Sequence, residues 1–372
     1  MGRKGQIEFE AMLWEELGSA EGQKEAKEFE RKGEPVSQRS KQEELFEMIN
    51  LDMDAEIVQR VKHFILELSE PTLFSSQEER EKVMLEVSRR FYKRRRRIRK
   101  DFMRLLPNRE ELCMRILGIL YRKLSGSKVV RAPLLVGPPG TGKSFAVEAL
   151  VKALNQNGIR AKLIRRNLIC DENTVKELEM YLLGTEAHYS NAFPGVLSQE
   201  VARKDVDLVV VFLDEVEKGM PYVYPLLLNL LDPAQPLEDY FLKGALVRAP
   251  HDLRFKTFFV AAANQPEIFL SIPEVRDRFE IPLYFRSYTS EEKVNLVLEL
   301  FSREFAHSFR KVKKDEVRKI VSEIVEISDL TFRDLLSLVE DFLLSKKLSY
   351  YQAPRLTVKK AEKRPIGFRV YQ

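Results

Sequence analysis

Gly137-Pro138-Pro139-Gly140-Thr141-Gly142-Lys143-Ser144 lies between the apolar run Leu134-Leu135-Val136 and a stretch whose apolar residues, Phe145, Val147, Ala149, Leu150 and Leu154, recur at helical spacing. The order is buried strand, glycine-rich loop, helix, and that order gives the loop its meaning. Glycines let the backbone curl until its N–H groups face one anion, and the helix that follows directs the positive end of its dipole at the same point. Lys143 adds a point charge suited to the β and γ phosphates of a nucleoside triphosphate, and Ser144 offers a hydroxyl to magnesium. Every residue from Gly137 to Ser144 is therefore a candidate for nucleotide contact.

Two longer apolar runs set the loop in a sheet. Leu208-Val209-Val210-Val211-Phe212-Leu213 leads without a polar residue into Asp214-Glu215, and Phe258-Phe259-Val260-Ala261-Ala262-Ala263 leads into Asn264. A strand buried on both faces reads as such an unbroken run, which is the habit of parallel sheets. Open parallel sheets bind ligands beyond the carboxyl ends of their strands, where Asp214, Glu215 and Asn264 emerge. Taken alone, adjacent carboxylates also cap helices and Asn is a common turn residue; their order after the phosphate loop favours a site. Ala161-Lys162-Leu163-Ile164 reads as a further strand, and helices are expected from Ser76 to about Leu106 and from about Arg109 to Leu124.

With these segments in this order the chain resembles the AAA+ ATPases. The resemblance implies that Leu208 to Glu215 is a Walker B motif, with Asp214 ordering the magnesium shell and Glu215 polarising the attacking water, and that Asn264 is the sensor-one residue that helps hold that water. Among these proteins the chain is nearest to the ATPase module of the Lon family. Phe193-Pro194-Gly195-Val196-Leu197-Ser198-Gln199, Leu230-Leu231-Asp232-Pro233-Ala234-Gln235, Asp239-Tyr240-Phe241-Leu242, Ile272-Pro273, Asp277-Arg278-Phe279-Glu280 and Tyr288-Thr289-Ser290-Glu291-Glu292-Lys293 are similar to Lon segments in the same order. They span about residues 110–345, and Glu217-Lys218 also suits the related Clp unfoldases.

The fold this implies is an α/β P-loop AAA+ three-layer sandwich with a parallel sheet, a helical N-terminal module and a C-terminal helical lid, assembled as a ring, most simply a hexamer. ATP and Mg2+ are the implied ligands. Arg278 would be the arginine finger that reaches the γ phosphate of a neighbouring subunit, with Arg276 a second candidate, because a guanidinium suits charge spread over several oxygens. Arg333, in the first turn of a helix that Thr331 and Asp334 cap by their spacing, falls where the lid presents sensor two. Tyr189 falls at the aromatic pore-loop position that grips an extended polypeptide, with Asn191 where the family has a glycine. Lon carries a serine-lysine peptidase domain after its lid; about two dozen residues remain here, so the expectation is an ATPase without a peptidase of its own.

The rest of the chain divides by composition. Its 372 residues, 44% hydrophobic, allow more than one domain. The expected boundaries are a flexible segment over residues 1–44, a helical module over 45–108, the nucleotide-binding domain over 109–287, a lid over 288–350 and a basic tail over 351–372. No apolar run reaches the roughly 20 residues of a membrane helix, and two cysteines, Cys113 and Cys170, make neither a disulfide framework nor a metal cluster. A cytoplasmic protein without a membrane partner is the resulting expectation.

Charge is distributed unevenly. Residues 1–88 hold 12 basic and 21 acidic side chains, whereas residues 89–104 hold ten basic and one acidic, along a helix whose apolar seam is Phe91, Ile98, Phe102 and Leu105. Such a cluster, centred on Arg94, Arg95, Arg96 and Arg97, either neutralises nucleic-acid phosphates or pairs with the acidic segment or a neighbouring subunit. The tail ends in Val370-Tyr371-Gln372, similar to the hydrophobic-tyrosine-any terminus by which proteasomal ATPases enter a peptidase ring, and Ile366-Gly367-Phe368 is similar to the docking tripeptide of Clp unfoldases. A frayed strand is the alternative. The function expected is a ring ATPase that remodels or unfolds and translocates protein, with a separate peptidase as a partner; its rival is a nucleic-acid-associated ATPase held through the arginines.

Overall fold

Parallel strands need crossovers, and the unbroken apolar runs require both faces of their sheet to be covered. A computed structural model of the chain shows how this is met. It describes residues 38–300, apart from 51, 68–71, 128–129 and 248–250, and a few positions between 315 and 341. Arg333, most of the lid and the tail lie outside the described residues; within the range expected for the lid, Val294, Leu335 and Val339 are described and buried.

The sheet has five strands, β1 (Leu134–Val136), β2 (Ala161–Asn167), β3 (Leu208–Asp214), β4 (Thr257–Ala263) and β5 (Leu283–Tyr284). Their order is β2-β3-β4-β1-β5, all parallel. β3 and β4 are buried at every residue, and β2, at the edge, alternates between exposed and covered positions. The register sets Val136 beside Ala263, and Leu213 beside Ala261, so the ends of β1, β3 and β4 open on one edge. The chain leaves β1 for β2 on one side of the sheet, and β5 returns to its other side. The crevice at such a reversal is where open α/β sheets bind ligands.

Helix α1 (Gln38–Glu47) runs across residue 44. Its first turns, Gln38-Arg39-Ser40-Lys41-Gln42-Glu43-Glu44, are mostly straight-chain residues of good helix propensity. Helix α2 (Ala55–Glu67) buries Ile57, Val61, Phe64 and Ile65, one face at 3.6-residue spacing. Helix α3 (Gln77–Leu105) starts at a reciprocal capping box between Ser76 and Glu79 and buries Met84, Val87, Phe91, Ile98 and Phe102. It lies along α4 (Glu110–Leu124) and α5 (Lys143–Gln156), with Phe91 stacked on Tyr121 at 5.9 Å.

The arginine cluster is split by this packing. Arg90 donates through both terminal nitrogens to Asp207 at 3.1 and 2.9 Å, and Arg160 holds the same carboxylate at 3.2 and 2.8 Å. Burial alone would raise the Asp207 carboxyl; the hydrogen bonds from Arg160 and Arg90 reverse that and hold it well below the usual range. Arg94 donates to the Asn157 carbonyl, and Arg95 lies 3.8 Å over the Tyr92 ring. Arg90 thus pairs both with Asp207 ahead of β3 and, at 3.8 Å, with Glu86 one turn back in the acidic segment, while Arg94 and Arg95 are half-buried.

The remaining helices are α6 (Glu172–Leu183), α7 (Val196–Val201), α8 (Tyr224–Leu231), α9 (Tyr240–Ala245), α10 (Glu267–Leu270), α11 (Pro273–Arg276) and α12 (Ser290–Leu300). α12 also opens on a capping box, in which Thr289 Oγ1 accepts from Glu292 N at 3.2 Å and Thr289 N donates to Glu292 Oε2 at 2.8 Å. Arg286 donates to the same carboxylate and, with those bonds, draws Glu292 down to about 2.

Candidate nucleotide site

The phosphate loop turns into α5 at Gly142, whose φ of 93° is a left-handed conformation that a side chain would resist. Thr141, almost wholly buried, donates to Pro138 O at 2.8 Å and ties the loop to itself. The segment after β5 lies beside it: Phe285 N donates to Val136 O at 2.6 Å, and Arg109 sits 4.4 Å over the Tyr288 ring.

Lys143 is 7% exposed, and its ammonium donates to Gly137 O at 2.5 Å, Pro138 O at 2.9 Å and Asn264 Oδ1 at 2.8 Å. Burial pulls its pKa below the ordinary lysine range, against the attraction of Asp214, Glu217 and Glu215. Ser144 Oγ donates to Asp214 Oδ2 at 2.9 Å. Residues 70 and 121 positions apart in sequence thus meet at the ends of β1, β3 and β4.

Two side chains join them that the sequence reading assigned no role. Arg165, on β2, donates to Asp214 Oδ2 at 2.8 Å and to Glu148 at 3.3 Å. It was hidden because the strand was expected to end at Ile164, whereas β2 runs to Asn167 and brings Arg165 alongside Phe212. Glu217 Oε1 accepts from both the backbone N and the side-chain Nδ2 of Asn264, each at 3.0 Å. That pairing orients the amide so that its oxygen faces Lys143. Its signal was visible: a third acid two residues beyond Glu215.

Glu215 has φ 56°, left-handed for a residue with a side chain, and its carboxylate accepts from Lys218 at 2.6 Å. Backbone strain of this kind gathers at functional sites. Arg278 stands apart, near the opposite end of the sheet: its carbonyl accepts from Ala132 before β1, and its guanidinium donates to Asp232 at 2.9 Å. Arg276 is exposed. Tyr189 is 54% exposed on the loop between α6 and α7, with the His188 ring 4.2 Å away.

No group of three or more His, Cys, Asp or Glu side chains among the described residues could hold a metal. The Ser144 hydroxyl and Asp214 carboxylate are instead hard oxygen donors of the number Mg2+ takes when phosphates complete its shell, so the donor set fits a metal that arrives with a nucleotide.

Residues 133–287 match the model of the AAA family, the ATPase family associated with various cellular activities. These residues resemble an AAA ATPase module. The chain is 31% identical over 229 residues to a Lon protease of Chloroflexus aggregans, an alignment covering 59% of this chain and 24% of that one. It is 33% identical over 178 residues to Lon protease 2 of Thermus thermophilus and 34% identical over 178 residues to the peroxisomal Lon protease homolog 2 of Zea mays, covering 45% of this chain and 20% and 18% of those. The chain thus spans about a quarter or less of the length of these relatives. Among solved structures it is similar to the S. cerevisiae Hsp104:casein complex in its extended conformation, with TM-score 0.54, 17% identity and coverage of 74% of this chain and 48% of that one. The AAA module is therefore an α/β P-loop fold of the AAA+ kind, close to the Lon-like ones. No helix among the described residues is long and apolar enough to cross a membrane.

Proposed function

We propose that the chain forms a ring that hydrolyses ATP to remodel or unfold polypeptide, which it draws past Tyr189. The observation that carries the reading is the convergence of Lys143, Ser144, Asp214 and Asn264 on one sheet edge. In this reading Lys143 and the loop N–H groups hold the phosphates, and Ser144 and Asp214 hold Mg2+, which supplies charge neutralisation at the transferred phosphoryl group. Glu215, released from Lys218, orients the attacking water, and Asn264, held by Glu217, fixes its other side. Arg278 exchanges Asp232 for the γ phosphate of the adjoining subunit, and Arg333 serves the same phosphate from the lid. Support for a polypeptide substrate comes from the Lon relatives and from the casein-bound structure that shares the fold.

A second reading, contact with nucleic acid, is favoured by the outer face of α3. Arg89, Lys93, Arg96, Arg97, Lys100 and Arg104 are all exposed and recur on one side of the helix, opposite Phe91, Ile98 and Phe102. They span about 22 Å along its axis.

One assay tests both. ATP turnover of the full chain with Mg2+ should rise with an unfolded polypeptide, and Glu215→Gln should lower it by about 10²–10⁴-fold while nucleotide still binds. Near-normal turnover in that variant removes the assigned base. Stimulation by duplex DNA instead, declining steeply with salt, would transfer the argument to α3.

A further inference from the structure

The loop over residues 185–193 leaves α6 at Gly184 and rejoins the fold at Gly195. Its limbs are laced together, Thr185 N to Phe193 O at 3.1 Å and Phe193 N to Thr185 Oγ1 at 2.9 Å. Beneath it lies Asp239, fully buried, which accepts from Gly195 N at 2.7 Å, Ser198 Oγ at 2.5 Å and Leu242 N at 3.0 Å. A side chain at Gly195 would collide with the Leu182 carbonyl, so the loop base admits no slack.

These contacts hold the base; the outer limb, residues 190–192, has a turn bond of its own, Ala192 N to Tyr189 O at 3.0 Å, and a further support from outside the loop. Arg60, from the middle of α2, supplies it. Its two terminal nitrogens donate to Ser190 O at 2.7 Å and Ala192 O at 2.8 Å, bracketing Asn191. The planar fork of a guanidinium can hold two carbonyls at once in a fixed plane, which an ammonium cannot. Asn191 itself is not in a left-handed conformation; among the described non-glycine residues only Asn108 and Glu215 are. The limb is backbone of ordinary conformation, braced by the residue behind it.

Helix α2 is itself anchored. Ile57, Val61, Phe64 and Ile65 are buried, and the chain just before it is tied to the end of α9 by Val247 N to Met48 O at 2.6 Å and Asn50 N to Ala245 O at 3.0 Å. The loop is therefore backed by a fixed helix while the Tyr189 ring stays exposed.

We propose that α2 is the rear support of the aromatic loop, with Arg60 a positioning residue that sets how Tyr189 is presented to a polypeptide. This rests on the reading of Tyr189 as the gripping residue. The segment ahead of the AAA module then belongs to the substrate machinery, and strain on α2 reaches the loop through one guanidinium.

The test uses the full chain, casein as the unfolded polypeptide, and hydrogen exchange over residues 186–193. Arg60→Ala should leave turnover without casein within about twofold and melting within a few degrees. It should raise the casein concentration for half-maximal stimulation at least fivefold and speed exchange in the loop at least tenfold. Arg60→Lys should recover only part of either, since one ammonium cannot span both carbonyls. Unchanged exchange in Arg60→Ala overturns the support, whatever casein does. Faster exchange with undiminished stimulation overturns the link to substrate. Tyr189→Ala separates the two ideas: if it keeps full stimulation, the gripping role fails and the coupling with it, while exchange still decides whether Arg60 holds the loop.

Discussion

The nucleotide site and the aromatic loop are built by opposite means. At the site, the sheet register delivers Gly137, Asp214 and Asn264 to one edge, and neighbouring side chains then lock each other within about one hydrogen-bond length. The loop has no strand beneath its tip. It is held by a buried carboxylate at its base and by Arg60, whose partners lie 130 and 132 residues away in sequence. In the proposed reading, chemistry on a phosphate, which tolerates little displacement, falls at the ends of the fully buried central strands. A surface that must meet varied side chains needs exposure first and receives its stiffness from behind.

Three measurements press on that contrast. Lys143→Ala should abolish tight nucleotide binding, a loss of about 3–6 kcal/mol from the charged hydrogen bonds it would make, read by titration with a fluorescent ATP analogue. The loop should be untouched, with exchange over residues 186–193 as in the parent chain. Retained affinity would mean that the loop of glycines, not its lysine, carries binding. Asp239→Ala should do the reverse. Losing three acceptor bonds, offset by the cost of burying a carboxylate, should lower stability by about 3 kcal/mol, seen in denaturant unfolding, with nucleotide affinity changed less than twofold. A large fall in affinity would show that the two regions are coupled and not independent.

The smallest effect concerns Asp207, which belongs to neither region and joins α3 to the sheet. Its pKa is depressed in the folded chain, so its stabilisation is complete above the unfolded value of about 4 and is lost as pH falls toward the folded value. Asp207→Asn should cost about 2 kcal/mol at neutral pH, and the gap between the two proteins should close below about pH 4, which thermal melts across pH would reveal. A gap independent of pH would assign the stabilisation to shape and not to charge.

Much of this was legible in advance. β3 and β4 announced themselves as unbroken apolar runs because burial on both faces leaves no place for a polar residue, and the acids after β3 and Asn264 after β4 pointed to the edge where these strands end. Arg165 was missed because β2 lies at the edge, where alternating charge hides the last residues of a strand. The arginine run was read as one block, yet its own apolar seam, Phe91, Ile98 and Phe102, contains the period that separates the inward Arg90, Arg94 and Arg95 from the outward Arg96 and Arg97. Arg60 had no such signal. Nothing local distinguishes a helical arginine facing water from one reaching carbonyls more than a hundred residues away.

One carboxylate, Asp207, answers to two guanidiniums, one on a 29-residue helix and one at the entrance to β2. Fastened at that point and laid along α4 and α5, the helix has no freedom to turn by itself. It is keyed to the sheet, and the row of cations along its far side keeps a fixed bearing to the strands.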